Sequence, residues 1–371
     1  MRTIQVAKFA NIPIKIHWSF GLFVLLILIY GLSNQMRGID LLWFLGFIGA
    51  MFICVILHEY GHALSARKYG VKTLDIIISP IGGLARLERL PEKPIQELKV
   101  AIAGPLVNVV IGLILFIILY VIHHDFSFLI VDENPFDNIT TAKGFFGLLV
   151  WTNVVLFVFN LIPAFPMDGG RILRALLTMQ LGRVRGTHWA ALVGRILAIV
   201  FIIFAVLIKD YMLIFVGIFV FVMAGAENNQ VVVESILDKA VVSDIMKKNF
   251  SRIHISEPLQ TMFDQYIRGG EKNYLIFDSM DNISGVMPEL FLKQAYKEGI
   301  LDSTVANEYM SKKILRVTKD VTLRNLFDKM KKEGLAIAAI EEDGRELIGV
   351  VDRSMLQNYL QLHMQKRKAY I

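Results

Sequence analysis

The motif His-Glu-Tyr-Gly-His at residues 58–62 is the feature of this sequence that most directly indicates chemistry. On an α-helix, residues i and i+4 lie on one face, so His58 and His62 can both reach one zinc ion. Glu59 lies beside that face and can accept a proton from a water molecule at the metal. Residues 41–57, which precede the motif, carry no charge. Ionisable groups inside a membrane helix are costly and usually functional, which favours a metal site over polar residues near an interface.

A catalytic zinc usually has three protein ligands and one open coordination position, so a third ligand is expected. Asp168, in the segment NLIPAFPMDGGR, follows an apolar run at a similar depth, and the prolines and glycines around it break the helix. The alternative is that Asp168 caps a helix that begins at Arg171. We favour the ligand role.

Three further residues could in principle hold a metal. His123 and His124 lie at the opposite end of another apolar run, so we interpret them as loop residues. Cys54 lies one helical turn before His58, and we interpret it as a buried core thiol. Because it is the only cysteine, no intrachain disulfide can form.

Asn153 and Asn160 are seven residues apart in one apolar run, and they share a helix face that leads towards Asp168. An amide in hydrocarbon needs a hydrogen-bond partner. Asn153 could donate to the oxyanion that forms when a peptide carbonyl is attacked. It could equally form an interhelical hydrogen bond, and the residues alone leave both roles open.

The chain is unusually apolar, with 55% hydrophobic residues and a mean hydropathy of +0.53. The excess is confined to residues 17–228, whereas the tail has soluble composition. A membrane-crossing helix needs roughly 20 mostly apolar residues. The stretches that approach this length are 16–33, 41–66, 99–122, 144–163, 188–208 and 211–227. We therefore predict a polytopic α-helical membrane domain with six transmembrane helices, the last two joined by a tight turn.

Basic residues are distributed unevenly between the predicted loops. One side carries Arg67, Lys68, Lys72, Arg86, Arg89, Lys93, Arg171, Arg174, Arg183 and Arg185. The other side has Arg37, Lys143 and Lys209 together with the acidic Asp125, Asp132, Glu133 and Asp137. We predict a protein of the plasma membrane. The positive-inside rule then places both termini and the tail in the cytoplasm. The net charge of +6 is explained by this orientation, so we predict no nucleic-acid partner.

Residues 74–88 (LDIIISPIGGLARLE) are too short and too interrupted to cross a membrane. Pro80, Gly82 and Gly83 break a strand-like run of isoleucines. The pattern predicts a short β-hairpin, which is either re-entrant at membrane depth or located at the headgroups. An exposed strand there could pair with an extended peptide.

The tail after Glu227 contains two related halves of about 60 residues each. Each half has a short helix that ends in Met246 or Met310, a strand, an amphipathic helix and two apolar strands joined by a polar turn. The shared spacing predicts a pseudo-symmetric α/β pair.

The membrane half resembles the site-2 protease family. The resemblance rests on HEYGH at 58–62, AGPLVN at 103–108 and NLIPAFPMDGGR at 160–171, and it covers about residues 1–228. It implies a zinc metalloendopeptidase that holds one Zn²⁺ per chain. The implied roles are zinc ligands for His58, His62 and Asp168, catalytic base for Glu59, and substrate or oxyanion contact for Asn153.

The resemblance also implies partners. Members of the family cleave transmembrane segments of regulatory proteins, so the expected substrate is a single-span or membrane-associated protein in the lipid bilayer. The tail resembles tandem cystathionine β-synthase-type (CBS) domains, expected at 239–299 and 300–371 after a linker at 229–238. Such a pair implies a regulatory or substrate-gating module.

Many CBS domains bind adenine nucleotides through a Gly-h-h-Thr-x-x-Asp segment. The corresponding segments here are GVMPELF from Gly285 and GVVDRSM from Gly349, which place Phe291 and Met355 at the Asp positions. This departure weakens the case for a nucleotide contact. A homodimer through the CBS domains and substrate gating stay open alternatives.

Two other functional classes compete with proteolysis. A transporter or channel could carry a regulatory CBS pair, and an inactive relative could bind membrane proteins without cleaving them. The intramembrane ionisable residues form a metal-ligand set rather than a permeation path, and every catalytic residue type is present. Both observations favour the protease.

Overall fold

A computed structural model describes residues 3–36, 38–80, 82–89, 91, 93–129, 139–342 and 346–368. The chain divides into two compact units, Met1–Asn229 and Gln230–Ile371. Four residues used above in the orientation argument lie outside the described residues: Arg37, Asp132, Glu133 and Asp137.

Within the described part of the chain, five helices are long and apolar enough to cross a membrane. They are α2 (Ile39–Arg67), α3 (Pro94–His123), α4 (Ala142–Asn160), α6 (Arg183–Leu207) and α7 (Tyr211–Lys239), and between the last two stand only Ile208, Lys209 and Asp210. The predicted fold class is confirmed by these helices. Helix α7 extends through residues 229–238, the range predicted to be a linker.

The first predicted span, 16–33, is only partly helical. Helix α1 (Ser19–Ser33) has 15 residues, which corresponds to roughly 22 Å against a hydrocarbon thickness of about 30 Å. The residues before it form strands β1 (Thr3–Phe9) and β2 (Ile12–His17). The count of six membrane spans therefore stays a prediction.

The β1–β2 hairpin was missed from the sequence although its turn has a local cause. Ala10 and Asn11 both have positive φ, of 48° and 63°, and Phe9 pairs with Ile12 across them. A two-residue loop with positive φ at both positions is a type I′ turn, whose twist matches that of the strands.

The hairpin expected at 74–88 is present as β3 (Thr73–Ser79) and β4 (Gly82–Leu87). It belongs to a larger sheet of order β1-β2-β3-β4, in which β2 runs parallel to β3 with Ile14 opposite Ile76. Ile76 is fully buried against α2 residues such as Ala63. Strand β4 forms one edge of this sheet.

Helix α4 ends at Asn160 rather than at residue 163, the predicted end of the fourth span, since the segment that follows is rich in proline. A separate amphipathic helix, α5 (Asp168–Leu181), then precedes α6. The sequence had offered a helix in this region only as an alternative, with its start at Arg171.

The second unit contains two halves with the same order of elements, as the internal repeat predicted. The first half has a 3₁₀ turn (Val242–Asp244), β5 (Arg252–His254), α8 (Leu259–Ile267), β6 (Tyr274–Phe277), β7 (Ile283–Met287) and α9 (Glu289–Glu298). The second has α10 (Ala306–Tyr309), β8 (Leu315–Thr318), α11 (Leu323–Glu333), β9 (Ile337–Glu342), β10 (Glu346–Asp352) and α12 (Arg353–Lys368).

The segment that begins each half pairs with the sheet of the other half. Lys247 bridges Val350 of β10, and Ser311 bridges Val286 of β7. Because each half contributes a segment to the sheet of the other, the two halves form one pseudo-symmetric body.

Candidate active site

The motif at residues 58–62 lies in the C-terminal part of α2, and its residues face different neighbours. His58 and His62 are buried, with 5% and 4% of their surface exposed. The Tyr60 hydroxyl donates to the carbonyl oxygens of Phe9 (3.1 Å) and Ile12 (3.3 Å) at the β1–β2 turn. The motif therefore places both histidines on one face of α2, and Tyr60 between them attaches α2 to the sheet.

Asp168 joins the histidine pair from α5. The Nε2 atoms of His58 and His62 are 3.1 Å apart, and Asp168 Oδ2 lies 3.2 Å from the first and 3.1 Å from the second. These three buried residues could hold a metal ion, and their three facing atoms are called the ligand triangle below. Ligand atoms at 2.0–2.1 Å from a tetrahedral zinc lie about 3.3 Å from one another, so the observed triangle fits zinc.

The hydrogen bonding of the imidazoles also fits metal binding. His62 Nδ1 donates to the carbonyl oxygen of Val100 in α3, at 2.8 Å. This bond leaves the lone pair of His62 Nε2 directed at the centre of the triangle, the usual arrangement around ligating histidines. Among the described residues, His58 Nδ1 has no hydrogen-bond partner.

Gly104 of α3 permits the close packing of this helix against the histidine pair. A Cβ atom at this position would stand 2.8 Å from His58 Nε2 and still closer to His62 Nε2. Any larger residue would therefore occupy the space of the two imidazoles. Gly104 belongs to the AGPLVN segment, to which the sequence reasoning had assigned no role in the site.

Asp168 is the first residue of α5, so the helix begins at Asp168 and not at Arg171. The position of α5 is held by Arg174, which is 1% exposed. Its Nε donates to Glu97 Oε1 of α3 at 2.7 Å, and its Nη1 pairs with Glu227 of α7. One buried guanidinium thus ties three helices together close to Asp168.

Glu59 of the same motif contacts the hairpin. Its Oε2 accepts a hydrogen bond from the backbone N–H of Ala85 in β4, at 2.8 Å. Gly83 allows β4 to pass this close, since a Cβ there would lie 2.7 Å from Glu59 Cγ. The contact between the motif and the hairpin was not predicted from the sequence.

The other predicted candidates lie apart from the ligand triangle. Asn153 is 1% exposed, and its amide donates to Leu149 O at 2.9 Å and to Cys54 Sγ at 3.4 Å. Asn160 donates to Leu156 O within its own helix. His123 and His124 lie at the far end of α3, roughly 30 Å along the helix from Gly104.

An ion cluster stabilises the hairpin that contacts Glu59. Asp75 of β3 is 1% exposed and accepts hydrogen bonds from Arg86 and Lys15, each at 2.6 Å. These two bonds, that from Arg86 above all, hold the pKa of the Asp75 carboxyl below its usual range. Asp75 is therefore a permanent anion inside the sheet at neutral pH.

Comparison with known proteins bears on this geometry. The sequence profile of peptidase family M50 matches residues 46–204, and that of the CBS domain matches residues 305–361. A zinc metalloprotease from Methanocaldococcus jannaschii is 32% identical over 352 residues, which cover 95% of this chain and 94% of that protein. The chain belongs to peptidase family M50.

Two further similarities concern this M50 chain. The structure of a site-2 protease from Methanocaldococcus jannaschii is 35% identical and covers 61% of this chain and 95% of its own, with a TM-score of 0.45. Stage IV sporulation protein FB from Bacillus subtilis is 27% identical over 132 residues, which cover 35% of this chain and 40% of that protein.

The family membership confirms several predictions made above. This M50 chain is a zinc metalloprotease with a CBS domain and several membrane-length helices. Zinc is confirmed as its cofactor, and His58, His62 and Asp168 form a group that could bind it.

Proposed function

We propose that this M50 chain cleaves peptide bonds within membrane-embedded segments of other proteins. The observation that carries the proposal is the depth of the ligand triangle. His58 lies roughly 14 Å from the end of α2 at Arg67, inside a helix with membrane-spanning length and composition. A peptide bond processed there would have to come from a substrate in the same layer.

The residues have distinct roles in this proposal. His58, His62 and Asp168 would hold zinc, which when bound acidifies a water molecule and polarises the carbonyl that is attacked. Glu59 would accept a proton at its carboxylate from the attacking water and pass it to the leaving amine. Its hydrogen bond with Ala85 leaves Oε1 available for this transfer.

Asn153 would stabilise the oxyanion or hold the substrate backbone. Its amide hydrogens are engaged by Leu149 O and Cys54 Sγ, so this role requires the side chain to rotate away from them.

The membrane placement and domain organisation belong to the same proposal. The distribution of Lys and Arg supports a plasma-membrane protein with both termini and the CBS domains in the cytoplasm. The proteolytic domain would comprise residues 1–228, the first CBS domain 239–299 and the second 300–371. The CBS module would regulate cleavage by gating substrate access.

The test is co-expression of the full chain with single-span membrane proteins encoded near it, comparing wild type with Glu59→Gln. Loss of a general base lowers rates by about 10²–10⁴-fold, so cleavage fragments should disappear on an immunoblot. Metal analysis should still find about one zinc per chain.

Glu88 is exposed and follows β4 of the β3–β4 hairpin. Glu88→Gln is the matched control, because it makes the same chemical change outside the site. This variant should cleave like wild type. Wild-type cleavage by Glu59→Gln would refute the role of Glu59. A purified wild-type chain without bound zinc would refute the metalloprotease mechanism altogether.

A further inference from the structure

Asn108 of α3 is buried in the apolar stretch that follows Lys99, and the described residues offer its amide no hydrogen bond. It is 1% exposed, and neither Nδ2 nor Oδ1 has a hydrogen-bond partner among the described residues. Leaving a buried amide unpaired is unfavourable, so such a group in a native structure points to a ligand or an ordered water.

The position of Asn108 relates it to the ligand triangle. It follows Gly104 by four residues, so both lie on nearly the same face of α3, about 6 Å apart along the axis. Gly104 touches the space of both histidine Nε2 atoms. Helical side chains lean towards the N-terminal end of their helix, which directs Asn108 towards the Gly104 turn.

The same face continues towards Asn153 of α4. Gly112 follows Asn108 by four residues, and a Cβ at Gly112 would be 3.6 Å from Asn153 Cβ. Asn153 Oδ1 is itself buried and, within the described part of the chain, lacks a hydrogen-bond partner. The α3 face therefore leads from the histidine pair past one unpaired amide to the unpaired oxygen of another.

We propose that Asn108 is a substrate-positioning residue that binds the main chain of the peptide segment next to the metal. The inference rests on the proposed proteolytic function. A carboxamide that, within the described chain, has neither atom paired offers a donor group and an acceptor, which match the C=O and N–H of a single peptide unit. Main-chain recognition of this kind suits a protease whose substrates differ in side chains.

The test measures ligand binding to the zinc-loaded full chain in detergent, and needs no cleavage assay. One probe is acetohydroxamate, which has a metal-binding group and no peptide unit. The other is a dipeptide hydroxamate, which adds a peptide main chain. Asn108→Leu removes both polar atoms at nearly constant size, and Asn108→Asp keeps an acceptor but loses the donor.

We expect Asn108→Leu to bind acetohydroxamate within about twofold of wild type and to bind the dipeptide hydroxamate about tenfold more weakly. Its zinc content should be unchanged, and its melting temperature without ligand should equal or exceed that of wild type. A stability gain with a binding loss is the pattern of a functional residue, because a structural hydrogen bond would give a stability loss.

Thr152→Val is the control, since the Thr152 hydroxyl is already satisfied by Leu148 O in its own helix. It should bind both probes like wild type. The inference fails if Asn108→Leu binds both probes like wild type, weakens both equally, or loses zinc and melts earlier. If Asn108→Leu does not fold, equal binding of both probes by Asn108→Asp and wild type overturns it.

The outcome for wild type separates this inference from the proposed function. A zinc-loaded wild type that binds neither hydroxamate contradicts the proteolytic site itself. A wild type that binds both, with unchanged variants, contradicts only the role of Asn108.

Discussion

Glu59 and Ala85 are joined by a 2.8 Å hydrogen bond between a side-chain carboxylate of α2 and a backbone N–H of β4. Because β4 is an edge strand and this N–H is directed at Glu59, it takes no part in the β3–β4 ladder. The hairpin therefore orients the proposed catalytic base. An extended peptide that paired with this edge would compete with Glu59 for the same donor.

Replacing Ala85 with proline should disturb the base and leave the metal in place. Proline removes the N–H and is tolerated in an edge strand where that N–H is not used in the ladder. We expect kcat to fall about tenfold, the equivalent of one charge-assisted hydrogen bond, with zinc content unchanged. Ala85→Ser retains the N–H and should keep wild-type kcat. An Ala85→Pro chain with full activity would show that the bond is dispensable.

Gly104→Ala should weaken zinc binding through steric conflict with the ligands. The new methyl group would meet His58 Nε2 at 2.8 Å and collide with His62. We expect zinc affinity, measured by competition with a chelator, to fall by about 10–100-fold, as for other changes that misorient ligands. Gly112→Ala in the same helix makes only an ordinary contact of 3.6 Å and should bind zinc normally. Equal affinities in the two variants would contradict the packing described above.

Asp75 should make the stability of the membrane unit depend on acid pH. Its pKa is lowered in the folded chain by Arg86 and Lys15, relative to about 3.9 in an unfolded chain. The stabilisation is therefore complete above pH ~4 and is lost as the pH falls through the lower, folded pKa.

In an acid unfolding series followed by circular dichroism, Asp75→Asn should be less stable than wild type at neutral pH. The difference should shrink towards zero at the acid end, where Asp75 itself is protonated. Asp302→Asn, an exposed position of the second unit, serves as control and should follow wild type. A pH-independent difference for Asp75→Asn would exclude this linkage.

Arg174 should contribute strongly to the stability of the membrane domain, because it is buried and paired with carboxylates of two other helices. Arg174→Met leaves Glu97 buried and without its cation, and breaking a buried pair from one side costs about 3–5 kcal/mol. We expect a marked fall in melting temperature in detergent. Adding Glu97→Gln and Glu227→Gln should restore much of the loss, because no charge is then left unpaired. An Arg174→Met chain as stable as wild type would show that this ion network does not stabilise the fold.

Sequence patterns were sufficient to predict a feature where the residues that produce it lie in one segment of the chain. The i, i+4 spacing of His58 and His62 needs only a helix, and the apolar runs needed only length and composition to predict the long helices. The internal repeat likewise predicted the paired α/β halves of the second unit. Two local signals were nevertheless missed: the type I′ turn at Ala10–Asn11, and the amide of Asn108 within an apolar helix, the same signal that had drawn attention to Asn153.

The sequence by itself determined which residue types could bind a metal and that they sit in a membrane-type chain, since periodicity and hydropathy are properties of neighbouring residues. Only the tertiary structure decided that Asp168 Oδ2 comes within 3.2 Å of both imidazoles, that Ala85 donates to Glu59, and that Gly104 makes room for the ligands. These contacts join residues far apart in the chain, and their distances depend on how α2, α3, α5 and the hairpin pack together. Packing of this kind has no signature in the spacing of residues along a sequence.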